Sequence, residues 1–383
     1  MSWTKIMLED ICISIADGDH QPPPKSDSGI PFVTISNITN TNKLDFTGTM
    51  FVSQEYYDNL NDKRRAHTGD ILYSVVGSFG IPVFIDKEQK FVFQRHIAIL
   101  RPDPKKIVSR FLYYMMLSRD FYMKADTVAL GAAQRTISLT ALRKMEMEVP
   151  PYNVQEEIVK ILKPFDDLIE NNQKQIKLLE EAAQRLYKEW FVDLHFPGYE
   201  NTKVVDGVPE GWTEGTLGDV VEFRRGKTIT KAQVQEGSIP VVAGGLEPAY
   251  YHNKANTVAP VITVSGSGAN AGFSRLYNVD IFASDCSFAD SETTPYLFFV
   301  YCFLKENRTR LDALQKGAAQ PHVYAKDINA MKLTVPTDDK LEAFCKFVFS
   351  YFEKIKVLQK QIQISSQARD RLLPKFINGE LEV

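Results

Sequence analysis

Apolar residues recur at alternating spacings of three and four over two long stretches of the chain, residues 153–191 and 339–377. In the first stretch the pattern passes through Val154, Ile158, Ile161, Phe165, Leu168, Ile176, Leu179, Ala183, Leu186 and Trp190. This spacing predicts one long helix with an apolar seam, because steps of three and four return to one helix face. At about 1.5 Å per residue, such a helix is roughly 58 Å long. One helix cannot bury its seam alone, so the sequence predicts that the two helices pair.

The predicted seam draws on both stretches and contains Ile158, Phe165, Asn172, Ile176, Leu179, Leu186, Trp190, Val348, Ile355, Leu358, Ile362 and Leu372. Asn172 is followed by an extra four-residue step, which predicts local unwinding of the coil. Leu178 and Tyr187 fall off the seam, and we expect them to face the helices of a partner protein. Pro164 and Pro374 lie inside the two helices and predict a kink or a break in each.

An internal repeat relates the two halves of the chain. A shift of 186 aligns residues 111–191 with 297–377 without a gap and gives eighteen identities in 81 positions, among them Gly-Ala-Ala-Gln at 131–134 and 317–320. A shift of 209 aligns the beginnings of the repeats, where Trp3 falls on Trp212 and Leu8 on Leu217. The first repeat therefore carries 23 more residues between these anchors. The sequence predicts two units with a shared frame that differ in the part between.

Short β-branched or aromatic runs precede a helix in each repeat. We predict strands at 30–38, 70–76, 83–85 and 91–100, then at 239–242, 261–264 and 281–283, and helices at 109–125 and 295–314. Residues 196–212 are rich in Pro and Gly and predict a linker. The expected fold class is α+β, with two α/β domains at 1–150 and 213–336, helical spacer regions at 151–195 and 337–383, and the linker at 196–212.

The length of the linker constrains how the long helices run. Parallel helices would require 17 residues to return about 58 Å, which is close to the limit of a fully extended chain. Antiparallel helices require only a turn. We therefore expect antiparallel helices and a pseudo-twofold relation between the two halves.

Composition narrows the functional class. The chain has 383 residues and a net charge of −3, and no apolar run reaches the about 20 residues of a membrane span. Four scattered cysteines lack metal-type spacing and predict buried reduced thiols in a cytoplasmic protein. The acidity is concentrated in residues 151–200, which sum to −4. The globular parts are near neutral, which allows a local basic face for nucleic acid.

Catalytic motifs are absent or incomplete. The string Val149-Pro150-Pro151-Tyr152 is similar to that of adenine amino-methyltransferases, but Val149 cannot accept a hydrogen bond from a target amine. Gly266-Ser267-Gly268 lacks the Lys and helix start of a phosphate-binding loop, and predicts a turn. Asp17 and Asp19 near His20 lack the further ligands of a nuclease metal site. The sequence predicts no catalytic residue, no metal site and no cofactor.

Polar and aromatic residues in predicted loops are better suited to binding. Arg, Asn, Gln and His read base edges, and aromatic side chains interleaved with them suit nucleic acid. The candidates are Arg64, Arg65, His67, Gln94, Arg95, His96, Gln134, Arg135, Arg224, Arg225, Lys227, Tyr250, Tyr251, Asn253, Lys254, Ser267, Asn270, Gln320 and His322. For any one of them the alternative is a solvated surface charge. The repeated Gly-Ala-Ala-Gln loop is expected to serve the shared frame or a phosphate.

Three features together resemble the specificity subunit of type I restriction–modification systems, the HsdS kind, over essentially the whole chain. They are Val208-Pro209-Glu210-Gly211-Trp212 before the second unit with Trp3 opening the first, the Gly-Ala-Ala-Gln loop leading to a Val-Pro pair, and the ending at residues 372–381. The resemblance implies two target-recognition domains on double-stranded DNA, each reading half of a bipartite asymmetric site. It implies helices that set the spacing and dock modification (methyltransferase) subunits, two of them by our expectation.

The same resemblance implies that catalysis belongs to other chains, with a restriction subunit left open, and that residues 20–105 and 225–295 carry the readers. The sequence also allows two other interpretations. One is an adaptor whose repeats bind proteins without reading DNA. The other is a detached specificity half of a fused methyltransferase–nuclease.

Overall fold

The computed structural model describes residues 3–39, 41–77, 79–131, 135–317 and 321–382. The chain forms two compact units. Unit 1 comprises Met1–Ile169 and Gln363–Val383, and unit 2 comprises Glu170–Ile362. Both units mix helices and sheets, as the expected α+β class requires. Among the described residues, no helix is long and apolar enough to cross a membrane.

Unit 1 begins with strands and ends in helices. In chain order its elements are β1 (Thr4–Met7), α1 (Leu8–Ile11), β2 (Cys12–Asp17), β3 (Ile30–Val33), β4 (Met50–Val52), α2 (Gln54–Asp58), β5 (Ile71–Ser74), β6 (Pro82–Phe84), β7 (Val92–Phe93), β8 (Ile97–Pro102), α3 (Ser109–Leu117), α4 (Arg119–Val128), α5 (Leu139–Arg143), β9 (Glu146–Val149) and the first part of α6 (Tyr152–Phe191). Within its described residues, unit 1 forms sheets of order β2-β8-β5-β6, β4-β3-β7 and β1-β9.

Unit 2 repeats this arrangement after the second part of α6. Its elements are β10 (Val204–Val205), β11 (Val208–Pro209), β12 (Thr213–Thr216), β13 (Arg224–Arg225), β14 (Ile239–Val242), β15 (Tyr250–His252), β16 (Val261–Ser265), β17 (Ser274–Tyr277), β18 (Phe282–Ala283), β19 (Cys286–Asp290), α7 (Leu297–Glu306), α8 (Arg308–Asp312), α9 (Ala325–Asn329), β20 (Lys332–Val335) and the first part of α10 (Asp338–Ile377). Its sheets have the orders β13-β19-β16-β17, β15-β14-β18, β12-β20 and β10-β11. The first three match the sheets of unit 1 strand for strand.

The main sheet of each unit has a fully buried central strand. All four residues of β5 and all five of β16 are buried. A strand buried on both faces needs apolar residues in succession, which the runs Ile71-Leu72-Tyr73 and Val261-Ile262 supply. Helices α3 and α7 are buried along most of their length and contribute Phe111 and Phe299 to their own unit's core. The core of each unit thus lies where the main sheet meets these helices.

Several predicted elements are divided in the structure. The predicted strand 91–100 is two strands, β7 and β8, separated by a turn at 94–96. The predicted helix 109–125 is α3 and α4, because the Ser118 hydroxyl caps a new helix by accepting a hydrogen bond from Phe121 N at 3.2 Å. The predicted helix 295–314 is likewise α7 and α8, and the predicted linker 196–212 holds the hairpin of β10 and β11. Neither Gly nor Pro marks the first two divisions, which is why the sequence pattern missed them.

The long helices begin within one residue of prediction, and α6 is not broken at Pro164. A proline inside a helix removes one backbone donor and leaves a carbonyl without its partner. Pro164 lies on the exposed side of α6, where water reaches the freed carbonyl. Pro374 lies within the last turn of α10, which continues to Ile377. Of the two predicted alternatives, the break is therefore wrong at both positions, and the kink stays a prediction.

The helices pair within each unit. In unit 2 the ring of Trp190 lies 5.8 Å from that of Phe344, and Asn172 Nδ2 lies 3.1 Å from Gln361 Oε1. Since residue numbers rise along one helix as they fall along the other, these segments run antiparallel. In unit 1 the guanidinium of Arg369 donates to Asp166 Oδ1 at 2.8 Å.

All twelve predicted seam positions are buried or half-buried, but three other residues of the two helices differ from prediction. The buried ones are Ile158, Asn172, Trp190, Val348, Ile355 and Leu358, and the half-buried ones are Phe165, Ile176, Leu179, Leu186, Ile362 and Leu372. Ile161 and Leu168, which belong to the apolar pattern, are exposed. Tyr187 was predicted to be off the seam but is only 3% exposed, because its ring packs 5.5 Å from that of Phe299 in the globular core.

Candidate nucleic-acid interface

The residue that follows the repeated Gly-Ala-Ala-Gln sequence accepts a hydrogen bond from the same turn in both units. In unit 1, Gly77 N donates to Arg135 O at 3.1 Å. In unit 2, Gly268 N donates to Pro321 O at 3.0 Å. Arg135 and Pro321 are 186 residues apart, which is the shift of the sequence repeat. Each turn follows the buried central strand of its unit, so Arg135 and Pro321 are held near the end of that strand.

Backbone hydrogen bonds at the base of the loop are also repeated. Leu130 and Thr136 exchange a pair of bonds at 2.8 Å each. The equivalent residues Lys316 and His322 exchange the same pair at 2.9 and 2.8 Å. The residues that flank the Gly-Ala-Ala-Gln sequence are therefore held alike in the two units, and its expected role in the shared frame or at a phosphate stays a prediction. The candidate residues Gln134 and Gln320 lie outside the described residues.

A second repeated feature is a glycine that follows the first strand of the main sheet. Gly18 N donates to Ile97 O at 3.3 Å, and Gly226 N donates to Cys286 O at 2.8 Å. A Cβ atom on Gly18 would lie 1.9 Å from Phe93 O, and one on Gly226 would lie 2.2 Å from Ser284 O. Only glycine permits this approach, which holds residues 17–19 and 225–227 against the turn before β8 or β19. We call these paired segments, 17–19 with 94–96 and 225–227 with 284–285, the glycine edge.

The shift that aligns the beginnings of the two repeats does not align these two glycines, because it differs by one residue. Gly18 and Gly226 are 208 apart, whereas Trp3 and Trp212 are 209 apart. The extra residue in unit 1 is accommodated by a bulge in β2, where the pairing with β8 shifts between Cys12 and Ser14. A bulge inserts one residue without disturbing the strand beyond it.

At the glycine edge of unit 1, two carboxylates hold one arginine. Arg64 lies 3.9 Å from Asp17 and 3.5 Å from Asp19, and the Tyr56 hydroxyl donates to Asp19 Oδ2 at 2.8 Å. Burial, followed by the hydrogen bond to Asp19, raises the pKa of Tyr56 to about 12, so the phenol keeps its proton. His20 Nε2 is 3.0 Å from Asp17 Oδ2. Both carboxylates thus have Arg64 as a cationic partner, and no group of three metal-ligating side chains occurs among the described residues.

The turn 94–96 forms the other side of this edge. Arg95 N donates to Asp19 O at 2.9 Å, and Val75 N donates to His96 O at 2.9 Å. Gln94 is half-buried, and its backbone forms an isolated parallel β-bridge with Asp19. The side chain of Arg95 is exposed, and it has no hydrogen-bonding or ionic partner among the described residues. The edge therefore presents one uncommitted guanidinium.

At the glycine edge of unit 2, cations stand where unit 1 has acids. Arg225 and Lys227 are both exposed and have no ionic partner in the described part of the chain. Ser267 donates its hydroxyl to Asp285. Arg225, Asp285 and His322 line one small cleft, where the imidazole of His322 stacks on Tyr324 with ring centroids 6.0 Å apart.

Comparison with protein-family models places this chain in a family. Residues 2–181 and 209–365 match the family described as "Type I restriction modification DNA specificity domain". The chain belongs to the type I restriction–modification DNA specificity family. The two matched segments show that this type I specificity chain carries two copies of the domain, one for each copy of the sequence repeat.

Relatives of this type I specificity chain match it over most of their length. The type I restriction enzyme MjaIX specificity subunit of Methanocaldococcus jannaschii is 27% identical over 72% of this chain and 70% of the relative. The type I restriction enzyme HindI specificity subunit of Haemophilus influenzae is 22% identical, covering 91% and 95%. The crystal structure of a type I restriction–modification S subunit from M. genitalium has a similar fold, with a TM-score of 0.59 and 19% identity, covering 98% and 96%.

Other candidate residues of the specificity chain in unit 1 have partners within the unit. Arg65 donates to Asp58 O and lies over the Tyr57 ring at 5.4 Å. His67 Nε2 is 3.0 Å from Asp62 Oδ1. Arg135 donates to Asp126 Oδ1 at 2.7 Å. The structure does not bring Arg65 and His67 into the glycine edge.

The remaining candidates in unit 2 are dispersed. Arg224 points to the side opposite Arg225, where it donates to Thr293 Oγ1 at 3.1 Å and lies 3.6 Å from Asp290. Asn253 donates to Gln235 Oε1 at 2.8 Å. Tyr250 and Tyr251 belong to β15 in the smaller sheet, with Lys254 shortly after it, and half-buried Asn270 ends the turn after β16.

Sequence reasoning missed Asp285 and a buried ion pair. Asp285 follows a strand without any motif, and only its place beside Arg225 singles it out. Asp70 is 2% exposed, and the guanidinium of Arg101 donates to its carboxylate at 3.2 Å. Burial raises the pKa of Asp70 despite this opposing cation. The sequence signal that could have indicated Asp70 and Asp285 is an acidic residue next to the apolar residues of a strand.

The four cysteines are free, and only two of them are buried. Cys286 and Cys302 are buried, whereas Cys12 and Cys345 are half-buried, which corrects the expectation for the latter pair. Burial raises the pKa of Cys12 and Cys286 to about 12 and that of Cys345 to about 11. Thiols with such pKa values remain protonated at neutral pH, where they are poor nucleophiles.

Proposed function

We propose that this chain is the DNA specificity subunit of a type I restriction–modification complex, and that each unit reads one half of a bipartite, asymmetric site in double-stranded DNA. The observation that carries the proposal is the glycine edge. Two units hold the same backbone with the same hydrogen bonds, yet they present different side chains there. A shared frame with different side chains suits two unlike half-sites. Residues 1–150 and 213–336 are the proposed recognition domains.

The paired helices have the proposed role of a spacer. Residues 151–195 and 337–383 would form a coiled coil with a pseudo-twofold, joined to the second domain by the linker 196–212. A stiff spacer converts domain separation into a fixed number of unread base pairs, since about 10 base pairs of B-DNA span about 34 Å. Support comes from the antiparallel pairing within unit 2, seen at Trp190 and Phe344.

The exposed sides of the helices are the proposed dock for modification subunits, two in our proposal. Leu178 is 63% exposed, and Phe347 and Phe349 are each 53% exposed, which leaves apolar surface for partner helices. A restriction subunit could bind to the same complex. Methyl transfer and cleavage would belong to these partners, so the chain itself is proposed to be non-catalytic, without a cofactor, and to act in the cytoplasm where the DNA lies.

Electrostatics give this proposal a testable form. With a net charge of −3, the chain is poorly suited to neutralise many phosphates alone. We expect tight, sequence-specific binding only in complex with the modification subunits. The experiment is selection from a random duplex pool by the purified chain with and without its methyltransferase partner. One bipartite motif enriched only with the partner is the expected result, and equal affinity of the isolated chain at physiological salt would refute it.

The same experiment separates the remaining interpretations. An adaptor would bind the partner without enriching any motif. A detached half of a fused enzyme would enrich a single half-site, and a neighbouring methyltransferase gene argues against it. Sequencing modified bases in the host genome before and after deletion of this gene then gives the motif directly.

A further inference from the structure

Charges are inverted between equivalent positions of the two glycine edges. Gly18 is flanked by Asp17 and Asp19, whereas Gly226 is flanked by Arg225 and Lys227. The pairing of the strands fixes the equivalence, because Asp17 pairs with Ala98 and Arg225 with Ser287, one position into β8 and β19 respectively. Backbone geometry is kept, and the sign of the flanking charge is reversed.

The facing turn also carries charges of opposite sign in the two units, at adjacent rather than equivalent positions. Val75 N donates to His96 O in unit 1, and Gly266 N donates to Asp285 O in unit 2 at 3.2 Å. Arg95, immediately before His96, is the charged residue of the turn in unit 1, whereas Asp285 is that residue in unit 2. Each edge therefore has both signs of charge, but on opposite segments.

The two edges also differ in which charges are already neutralised. In unit 1 both carboxylates are engaged by Arg64, so the uncommitted charge is the guanidinium of Arg95 on the turn. In unit 2 the uncommitted charges are Arg225 and Lys227 on the glycine segment, in the described part of the chain. Asp285 accepts from Ser267 and still has acceptor capacity.

We infer that the glycine edge is the base-reading element of each unit, with Arg95 as the reader in unit 1 and with Arg225, Lys227 and Asp285 as readers in unit 2. The inference rests on the proposed function and deepens it. Arginine and lysine match the paired O6 and N7 acceptors of guanine in the major groove, and a carboxylate accepts from the exocyclic amine of cytosine. The inverted arrangement makes the two units select different bases from one backbone frame.

Exposure separates these residues from their neighbours. A cationic reader must be exposed and not already bound, because an engaged guanidinium must first lose its partner. Arg95, Arg225 and Lys227 meet this condition. Arg224 does not, since Asp290 and Thr293 hold it on the other face of the strand. It is therefore a matched control, one residue from Arg225.

The test uses the complete complex with its modification subunits. Plasmid DNA methylated by the wild-type complex and by complexes carrying Arg95→Ala, Arg225→Ala, Lys227→Ala, Asp285→Asn or Arg224→Ala is sequenced for modified bases. We expect Arg95→Ala to relax one half-site and the three unit 2 variants to relax the other, each with a loss of about tenfold or more in discrimination at one or two positions. Arg224→Ala is expected to leave the motif unchanged.

The outcomes distinguish this inference from the proposed function. An unchanged motif in every variant, with the wild-type complex still specific, overturns the inference and leaves the proposed function intact. A uniform loss of methylation at all sites, without relaxed sequence, assigns these residues to phosphate contacts and also overturns it. Absence of any motif with the wild-type complex overturns the proposed function itself. Far-ultraviolet circular dichroism of each variant confirms that the fold is retained.

Discussion

The side-chain amide of Asn172 donates to the amide oxygen of Gln361 at 3.1 Å, joining α6 to α10 within unit 2. Asn172 is 2% exposed, although its neighbours in the seam are apolar. A buried amide in an apolar seam costs free energy unless its hydrogen bonds are made. Polar seam residues are known to select one register of a helix pair at a cost in stability.

The first prediction concerns this pair. Gln361→Ala leaves the Asn172 amide without its partner, and we expect the free energy of unfolding to fall by about 1–3 kcal/mol. The double variant Asn172→Leu/Gln361→Ala removes the unpaired group and should recover most of this loss. Urea unfolding measures both. Gln173→Ala, at an exposed position beside Asn172, is the control and is expected to change stability by less than about 0.5 kcal/mol. A double variant no more stable than the single one contradicts the prediction.

The second prediction concerns the glycine edge as a structural feature. Gly18→Ala and Gly226→Ala each place a Cβ against a backbone carbonyl, which cannot rotate away. We expect each to lower the free energy of unfolding by about 1–3 kcal/mol, the usual cost of overpacking. Thermal unfolding followed by circular dichroism measures the effect. Gly245→Ala is the control, because its nearest neighbour would be 3.4 Å away. Equal unfolding temperatures for all three variants would contradict the close approach.

The third prediction concerns pH and the buried Asp70. Arg101→Ala leaves the Asp70 carboxylate buried without a cation. We expect the free energy of unfolding to fall by about 3 kcal/mol at pH 7. Burial already raises the pKa of Asp70 above its unfolded value. Between these two pKa values the folded state binds more protons, so this group's contribution to stability falls as pH rises through that range and recovers as pH falls.

Removing Arg101 takes away the opposing cation, so the pKa of Asp70 rises further and the recovery at low pH becomes larger. The loss caused by Arg101→Ala should therefore be smaller at pH 5 than at pH 7. Urea unfolding at both values measures it, with Arg119→Ala as an exposed control. If Arg101→Ala lowers the free energy of unfolding more at pH 5 than at pH 7, the prediction for a buried carboxylate is contradicted.

The fourth prediction separates two residues that the helical pattern treats alike. Tyr187 packs 5.5 Å from Phe299 and 6.1 Å from Phe344, ring centroid to ring centroid. Tyr187→Ala should create a cavity and cost about 3–5 kcal/mol. Leu178→Ala, on the exposed side of the same helix, should cost less than about 0.5 kcal/mol. Chemical unfolding compares them, and a similar cost for both would contradict the different burial.

The long helices illustrate what local pattern predicts well. Spacings of three and four over 39 residues leave few alternatives, and the observed bounds Tyr152–Phe191 and Asp338–Ile377 differ from prediction by one residue at the start. Strand β14 coincides with the predicted 239–242. Tyr187 was misplaced because the helix buries a second side against the globular core, a contact that the seam of a helix pair does not contain.

The candidate site shows the opposite case. The sequence named Arg95, Arg225 and Lys227 by residue type but also named Arg65, Arg135 and Arg224, whose guanidinium groups have partners inside their own unit. Asp285 was not named, because a single acid after a strand carries no motif. Which charges are neutralised depends on residues distant in the chain, and no local pattern records that.

The sequence by itself determined the two repeats, the paired helices and the family, because periodicity and repetition are properties of residue order. Only the tertiary structure decided that Gly18 corresponds to Gly226, since a one-residue bulge in β2 displaces the repeat there. It also decided which charges remain uncommitted at that edge. Hydrogen bonds and ion pairs form between segments brought together by folding, so the final set of exposed, unpaired side chains exists only in the folded chain.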